Sequence, residues 1–105
     1  MLLLVHPDIK DITLEGIFYA LGDKQRLQIV KNLASANGEP LSCMSAVKGI
    51  NNMPVSTRSN NFRVLREAGI VRSEKSGRES RNYLRLEEIN ERFPNLLTNM
   101  ISHVP

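Results

Sequence analysis

A single cysteine, Cys43, stands in 105 residues, and that scarcity removes several chemistries at once. One thiol forms no intramolecular disulfide, no CxxC redox pair and no cysteine-cluster metal site, and it fits a reducing cytoplasm. The two histidines, His6 and His103, lie near opposite ends. Neither has a second histidine or a carboxylate at helical spacing to complete a ligand pair, so both read as surface residues and no metal site is expected. GxSxG, a phosphate-cradling loop and His–carboxylate spacing are absent, and so short a chain has little room for a catalytic pocket. An enzyme is therefore not expected, nor is a cofactor. The apolar run at residues 1–5 lacks a basic flank and is far too short for a signal sequence or a membrane span, so no targeting segment is expected. Repeats, low-complexity tracts and Gly/Ser linkers are also missing, which leaves residues 1–105 as one domain.

What is present is ordinary globular material: 41% hydrophobic and 24% charged residues. A domain this small hides a modest share of its surface, so leftover apolar faces favour a partner subunit. The net charge is +3 and the pI about 9.4. Its distribution is more telling than its size. Residues 54–85 hold eight basic side chains (Arg58, Arg63, Arg66, Arg72, Lys75, Arg78, Arg81, Arg85) against three acidic ones, while the rest of the chain has six basic and eight acidic. Positive charge is thus gathered in one third of the sequence, away from the apolar N-terminal run, which argues against a membrane-binding face.

Thr13 reads as an N-cap before Leu14, Ile17, Phe18 and Leu21, which recur at helical spacing. Asp23 can cap a second helix carrying Leu27, Val30, Leu33 and Ala34, stopped by Gly38, Glu39 and Pro40. Ser42 can cap a short third helix with Cys43, Ala46, Val47 and Ile50 on one face, closed by a turn at Asn51 and Asn52. Cys43 then reads as a small buried hydrophobe. Pro54 begins a fourth helix whose buried side takes Val55, Phe62, Leu65 and Ala68, and Gly69 ends it. Two extended segments, residues 70–75 and 78–86, flank a turn at Ser76 and Gly77. A turn or two of helix at residues 87–92 precedes a final helix started by Pro94 and bearing Leu96, Leu97, Met100 and Ile101. The order is four helices, a β-hairpin and a C-terminal helix. It predicts a mainly α winged helix-turn-helix.

A helix that reads the major groove must bury one face and offer short polar or forked side chains on the other. Ser56, Thr57, Ser59, Asn60, Asn61 and Arg63 supply those groups on the fourth helix. Lys75, Arg78 and Arg81 make the adjacent hairpin a basic wing suited to phosphate or minor-groove contact. Double-stranded DNA is the expected partner. The alternative is a winged helix used for protein or RNA contact, since a fold does not name its partner. Such modules often present an acidic or apolar helix, whereas this one is polar and basic.

Residues 20–30, ALGDKQRLQIV, resemble the opening "ALADPtRLxIL" of ArsR-type regulators, and residues 59–71, SNNFRVLREAGIV, resemble their segment "SxHLrvLreAGLV". The hairpin SEKSGRESRNYLRL is similar to the family wing, and RFPNLL at residues 92–97 to the tail of a metal-independent subgroup. Similarity spans roughly residues 12–100. The resemblance implies a homodimer built from the first and last helices, with Leu14, Ile17, Phe18, Leu21, Leu96, Leu97, Met100 and Ile101 as the interface. It further implies a palindromic operator and repression by promoter occupancy. The sequence departs from the family at three places. Arg58 replaces an apolar residue, and Asn60 and Asn61 stand where Arg, His or Gln are common. Ser42 and Met44 occupy the places of the two cysteines of the metal sensors.

Overall fold

Local capping sets the first three helix starts. The Thr13 hydroxyl accepts from Gly16 N at 3.1 Å and opens α1 (Leu14–Leu21). The Asp23 carboxylate accepts from Arg26 N at 3.0 Å and opens α2 (Lys24–Ala34). Ser42 Oγ accepts from Ser45 N and opens α3 (Cys43–Ala46). Each cap satisfies one of the amides that a helix start leaves unpaired. All three are foreseen from sequence. The fourth helix, α4 (Val55–Glu67), follows Pro54.

The end of α4 matters more, because it aims everything after it. Ile70 N donates to Leu65 O at 3.0 Å and Gly69 N to Arg66 O at 2.9 Å, the paired bonds of a Schellman stop. Gly69 has φ +84°, and a Cβ there would lie 2.5 Å from Ile12 Cδ1. Glycine alone fits both the backbone and the space. The chain then leaves directly into the hairpin.

Residues 2–3 and 6–105 are described by the computed structural model, so residues 1, 4 and 5 of the apolar N-terminal run lie outside the described residues. Strand β1 (Leu2–Leu3) pairs antiparallel with β2 (Val71–Ser76), which pairs with β3 (Glu79–Leu84). Ser76 opposes Glu79 across a two-residue turn at Gly77 and Arg78. Gly77 there takes φ +63°, the positive value such hairpins need. The two-stranded wing expected from sequence thus has a third strand on its edge. Leu41, just ahead of α3, exchanges backbone hydrogen bonds with Asn82 of β3 and so ties the helical part to the wing.

Helices α5 (Leu86–Arg92) and α6 (Leu96–Ser102) complete the chain. The last helix starts at Leu96 and not at Pro94, because Asn95 takes a left-handed φ of 58°. Asn90 of α5 serves this start, accepting from Leu97 N and donating to Thr98 Oγ1.

Helix α2 lies at the centre, packed on α1, α3, α4, α6 and β3. Its Ile29, Val30 and Leu33 meet Ile17 and Ala20 of α1, Phe62 and Leu65 of α4, Ile70, Val71, Ile89 and Leu97 in one core. Each large side chain there contributes about 1.5–3 kcal/mol by leaving water. Val55, expected in this core, is instead 65% exposed; it sits at the first turn of α4, beyond the reach of the packed layer.

Polar groups enter the interior in pairs. Ser73 Oγ donates to Asn82 Oδ1 at 2.7 Å, and Asn82 Nδ2 donates to Leu41 O at 2.9 Å. His6 is a correction to its surface reading: it is half-buried, and its Nε2 accepts from Ser73 N at 2.9 Å. Among the described residues, no helix is long and apolar enough to cross a membrane.

Candidate nucleic-acid interface

Helix α4 has one face in the core and one in solvent. Phe62 and Leu65 are buried, while Ser56, Ser59, Asn60 and Arg63 are exposed and recur at intervals of three or four, so they form one stripe. Thr57 is half-buried at its edge. Within the stripe, Arg63 Nη2 donates to Asn60 Oδ1 at 2.7 Å. Both residues are exposed, so the Asn60 amide and the remaining guanidinium donors form a donor-rich edge with acceptor capacity left on Oδ1. Exposed Val55 extends the stripe toward the helix start and adds an apolar contact of the kind thymine methyls take.

Asn61 departs from its expected role. It is 3% exposed, its Oδ1 accepts from Arg26 Nη1 at 3.2 Å, and its Nδ2 donates to Gln25 Oε1 at 3.3 Å. The amide is turned toward α2, away from the open face. Arg26 also donates from Nε to Ala20 O at 2.6 Å, and its guanidinium lies over the Tyr19 ring. Gln25 Nε2 reaches Asn51 O and Asn52 O, both at 3.4 Å, in the turn that leads to α4. Sequence reasoning missed Gln25 and Arg26 as parts of the site. Their signal was two long polar side chains beside the apolar stripe of α2, which also fits ordinary solvation.

Arg58 is half-buried, and its Nη1 donates to Met44 Sδ at 2.9 Å. An arginine is thus accommodated in a position next to α3 by sending its tip to the helix surface. Arg66, on the inner side of α4, is pushed below the ordinary arginine value by burial, which neighbouring Cys43 and Glu67 oppose. Cys43 is half-buried against the wing, where Ser80 Oγ and Asn82 Nδ2 donate to its sulfur at 3.3 and 3.5 Å. Among the described residues, no three His, Cys, Asp or Glu side chains gather as a metal site.

The wing cations are all exposed but do not share one face. Side chains alternate along a strand. Lys75, opposite Ser80, is on the side of Ser73 and Asn82; Arg81, opposite Glu74, is on the other; Arg78 is at the tip. Arg72 and Glu74 are joined by a 3.3 Å ion pair.

The expected dimer residues also divide. Ile17, Leu21 and Leu97 are buried within this chain's own core, because their stripe faces α2 and its neighbours, so they are withdrawn from the surface. Leu14 and Phe18 remain 40% and 50% exposed, and Leu96, Met100 and Ile101 are half-buried. Met100 lines an apolar groove of about 570 Å³ with Leu21, Leu27, Val104 and Pro105.

No protein-family model matches the chain. It is similar to a protein of Bacillus subtilis (strain 168) described as an uncharacterized HTH-type transcriptional regulator, YceK, being 34% identical over 84 residues, 80% of this chain and 82% of that protein. With the short α3, the tight turn, the polar-faced α4 and the basic hairpin in place, the chain belongs to the HTH-type transcriptional regulators.

Proposed function

We propose that this protein is a homodimeric, ArsR-type regulator without a metal, which represses transcription by occupying a palindromic double-stranded operator. Helix α4 enters the major groove. Ser56, Ser59, Asn60 and Arg63 meet base edges or nearby phosphates, and Thr57 lies at the margin. Asn and Arg are the side chains whose forks match adenine and guanine. Lys75, Arg78 and Arg81 of the wing bind the flanking backbone, which fixes register without reading sequence. Exposed Leu14 and Phe18, with Leu96, Met100 and Ile101, supply the apolar face for the second copy. Two-fold symmetry then places two α4 helices about 34–36 Å apart, one turn of duplex.

The carrying observation is the exposed stripe of Ser56, Ser59, Asn60 and Arg63 on a helix whose other face is locked into the core, beside an exposed basic hairpin. All four of its side chains are exposed, and the bond from Arg63 to Asn60 stays within the stripe. Selection from a randomised duplex library with purified protein is the direct test. The expected outcome is a two-fold symmetric consensus; recovery of duplexes with no shared sequence would overturn the reading.

A further inference from the structure

We propose that Asn61, held between Arg26 and Gln25, is a positioning residue that fixes the rotation of α4 and thereby the base preference of the protein. This rests on the reading of α4 as the DNA-reading helix. Burial of Phe62 and Leu65 holds α4 against α2, but apolar contact is non-directional and tolerates small rotations. Hydrogen bonds are directional. Arg26 uses its fork to join two elements, with Nε on Ala20 O at the end of α1 and Nη1 on Asn61 Oδ1 of α4. Gln25 closes the other side, accepting from Asn61 Nδ2 while its own amide reaches the carbonyls of Asn51 and Asn52 in the turn before α4. One buried amide therefore ties α4 to α1, to α2 and, through Gln25, to its own lead-in turn.

The geometry gives this consequence a size. Side-chain tips lie roughly 5 Å or more from a helix axis, so a rotation of about 20° carries a tip roughly 2 Å. That exceeds what a bidentate base pair contact tolerates. Asn60 and Arg63 project from the same helix as Asn61, so its rotation sets where both of them arrive. A buried polar group retained for register is the best-attested use of such a group.

The test compares parent, Asn61→Leu, Gln25→Ala and Asn60→Ala proteins on the duplex selected by the parent, on its single-base variants and on a scrambled duplex. Circular dichroism and thermal midpoints report the fold. Asn61→Leu and Gln25→Ala should lower the ratio of selected to scrambled affinity by about 10-fold or more, the worth of one bidentate pair. Their loss of preference should spread over several base pairs of each half-site, whereas that of Asn60→Ala should centre on one. Scrambled-duplex affinity, set by phosphate contacts, should stay within about 2-fold. A folded Asn61→Leu protein with an unchanged ratio makes Asn61 packing only and overturns the proposal. Loss confined to one base pair makes it a direct reader and overturns it too. Should Asn61→Leu not fold, Gln25→Ala, altered at a half-buried position, decides by the same criteria. If the parent selects no consensus, the DNA reading itself fails, a result distinct from these.

Discussion

Gly69 carries more of the architecture than its size suggests, since it both ends α4 and admits Ile12 against the backbone. Gly69→Ala forces a left-handed alanine and a clash, and should lower stability by about 2–4 kcal/mol; urea unfolding measures it, and a loss below that of an ordinary surface change contradicts the packing. Arg85, 8% exposed, donates from Nε and Nη2 to both oxygens of Glu88 and from Nη1 to Pro7 O. Those bonds hold the Glu88 carboxyl below its ordinary value, against an opposing push from burial. The depressed group contributes stability that is complete above the usual glutamate range and is lost as pH falls through its folded value. Glu88 is half exposed, so the amount is no more than about 1 kcal/mol. Glu88→Gln should flatten the acid limb of the stability–pH curve by that much, and superimposable curves for the two proteins would count against the bridge. Caps such as Thr13, Asp23 and Ser42 were legible in the sequence because donor and acceptor lie three residues apart. Asn61 was not, because its partners lie 35 and 36 residues away and an amide looks the same whether it faces a groove or a neighbour.

The two elements of the site are expected to fail differently when changed. Arg78→Ala and Arg81→Ala in the wing should weaken binding to selected and scrambled duplexes alike, and should make the salt slope shallower by about one unit per lost phosphate contact. Asn60→Ala and Arg63→Ala in α4 should erode the preference for the selected duplex by about 1–3 kcal/mol each, with most non-specific affinity retained. Because Arg63 donates to Asn60, the double variant should lose less than the sum of the two. Fluorescence anisotropy at two salt concentrations separates the cases; uniform behaviour of all four variants would remove the division of labour. At this scale the sequence announced α1, α2, α4 and the hairpin through periodicity and turn residues. It did not announce β1, a two-residue strand whose partner lies some seventy residues away. Nor could a helical stripe say in which molecule it is buried. Ile17 and Leu21 share a stripe with Phe18, yet the first two complete this chain's core and the third is left half exposed.

At the scale of the whole molecule, the helical layer and the wing are joined through backbone hydrogen bonds, with α2 packed on both. The Schellman stop joins α4 directly to β2, and the bridge between Leu41 and Asn82 joins α3 to β3. Helix α4 and the wing are thus tied by backbone hydrogen bonds, and a second copy docked through Leu14, Phe18 and α6 would set the distance between two such pairs. A match between that distance and the spacing of two half-sites is testable. It is measured most directly by the affinity of the parent protein for the selected duplex and for duplexes with base pairs inserted between the half-sites. Inserting about 5 base pairs turns one half-site to the opposite side of the helix, and about 10 restores its face while moving it a full turn away. A dimer that grips both half-sites should bind either insertion more weakly, toward the non-specific level, by about 10³-fold or more. Affinity that is indifferent to spacing would mean that each chain binds alone, and would contradict it.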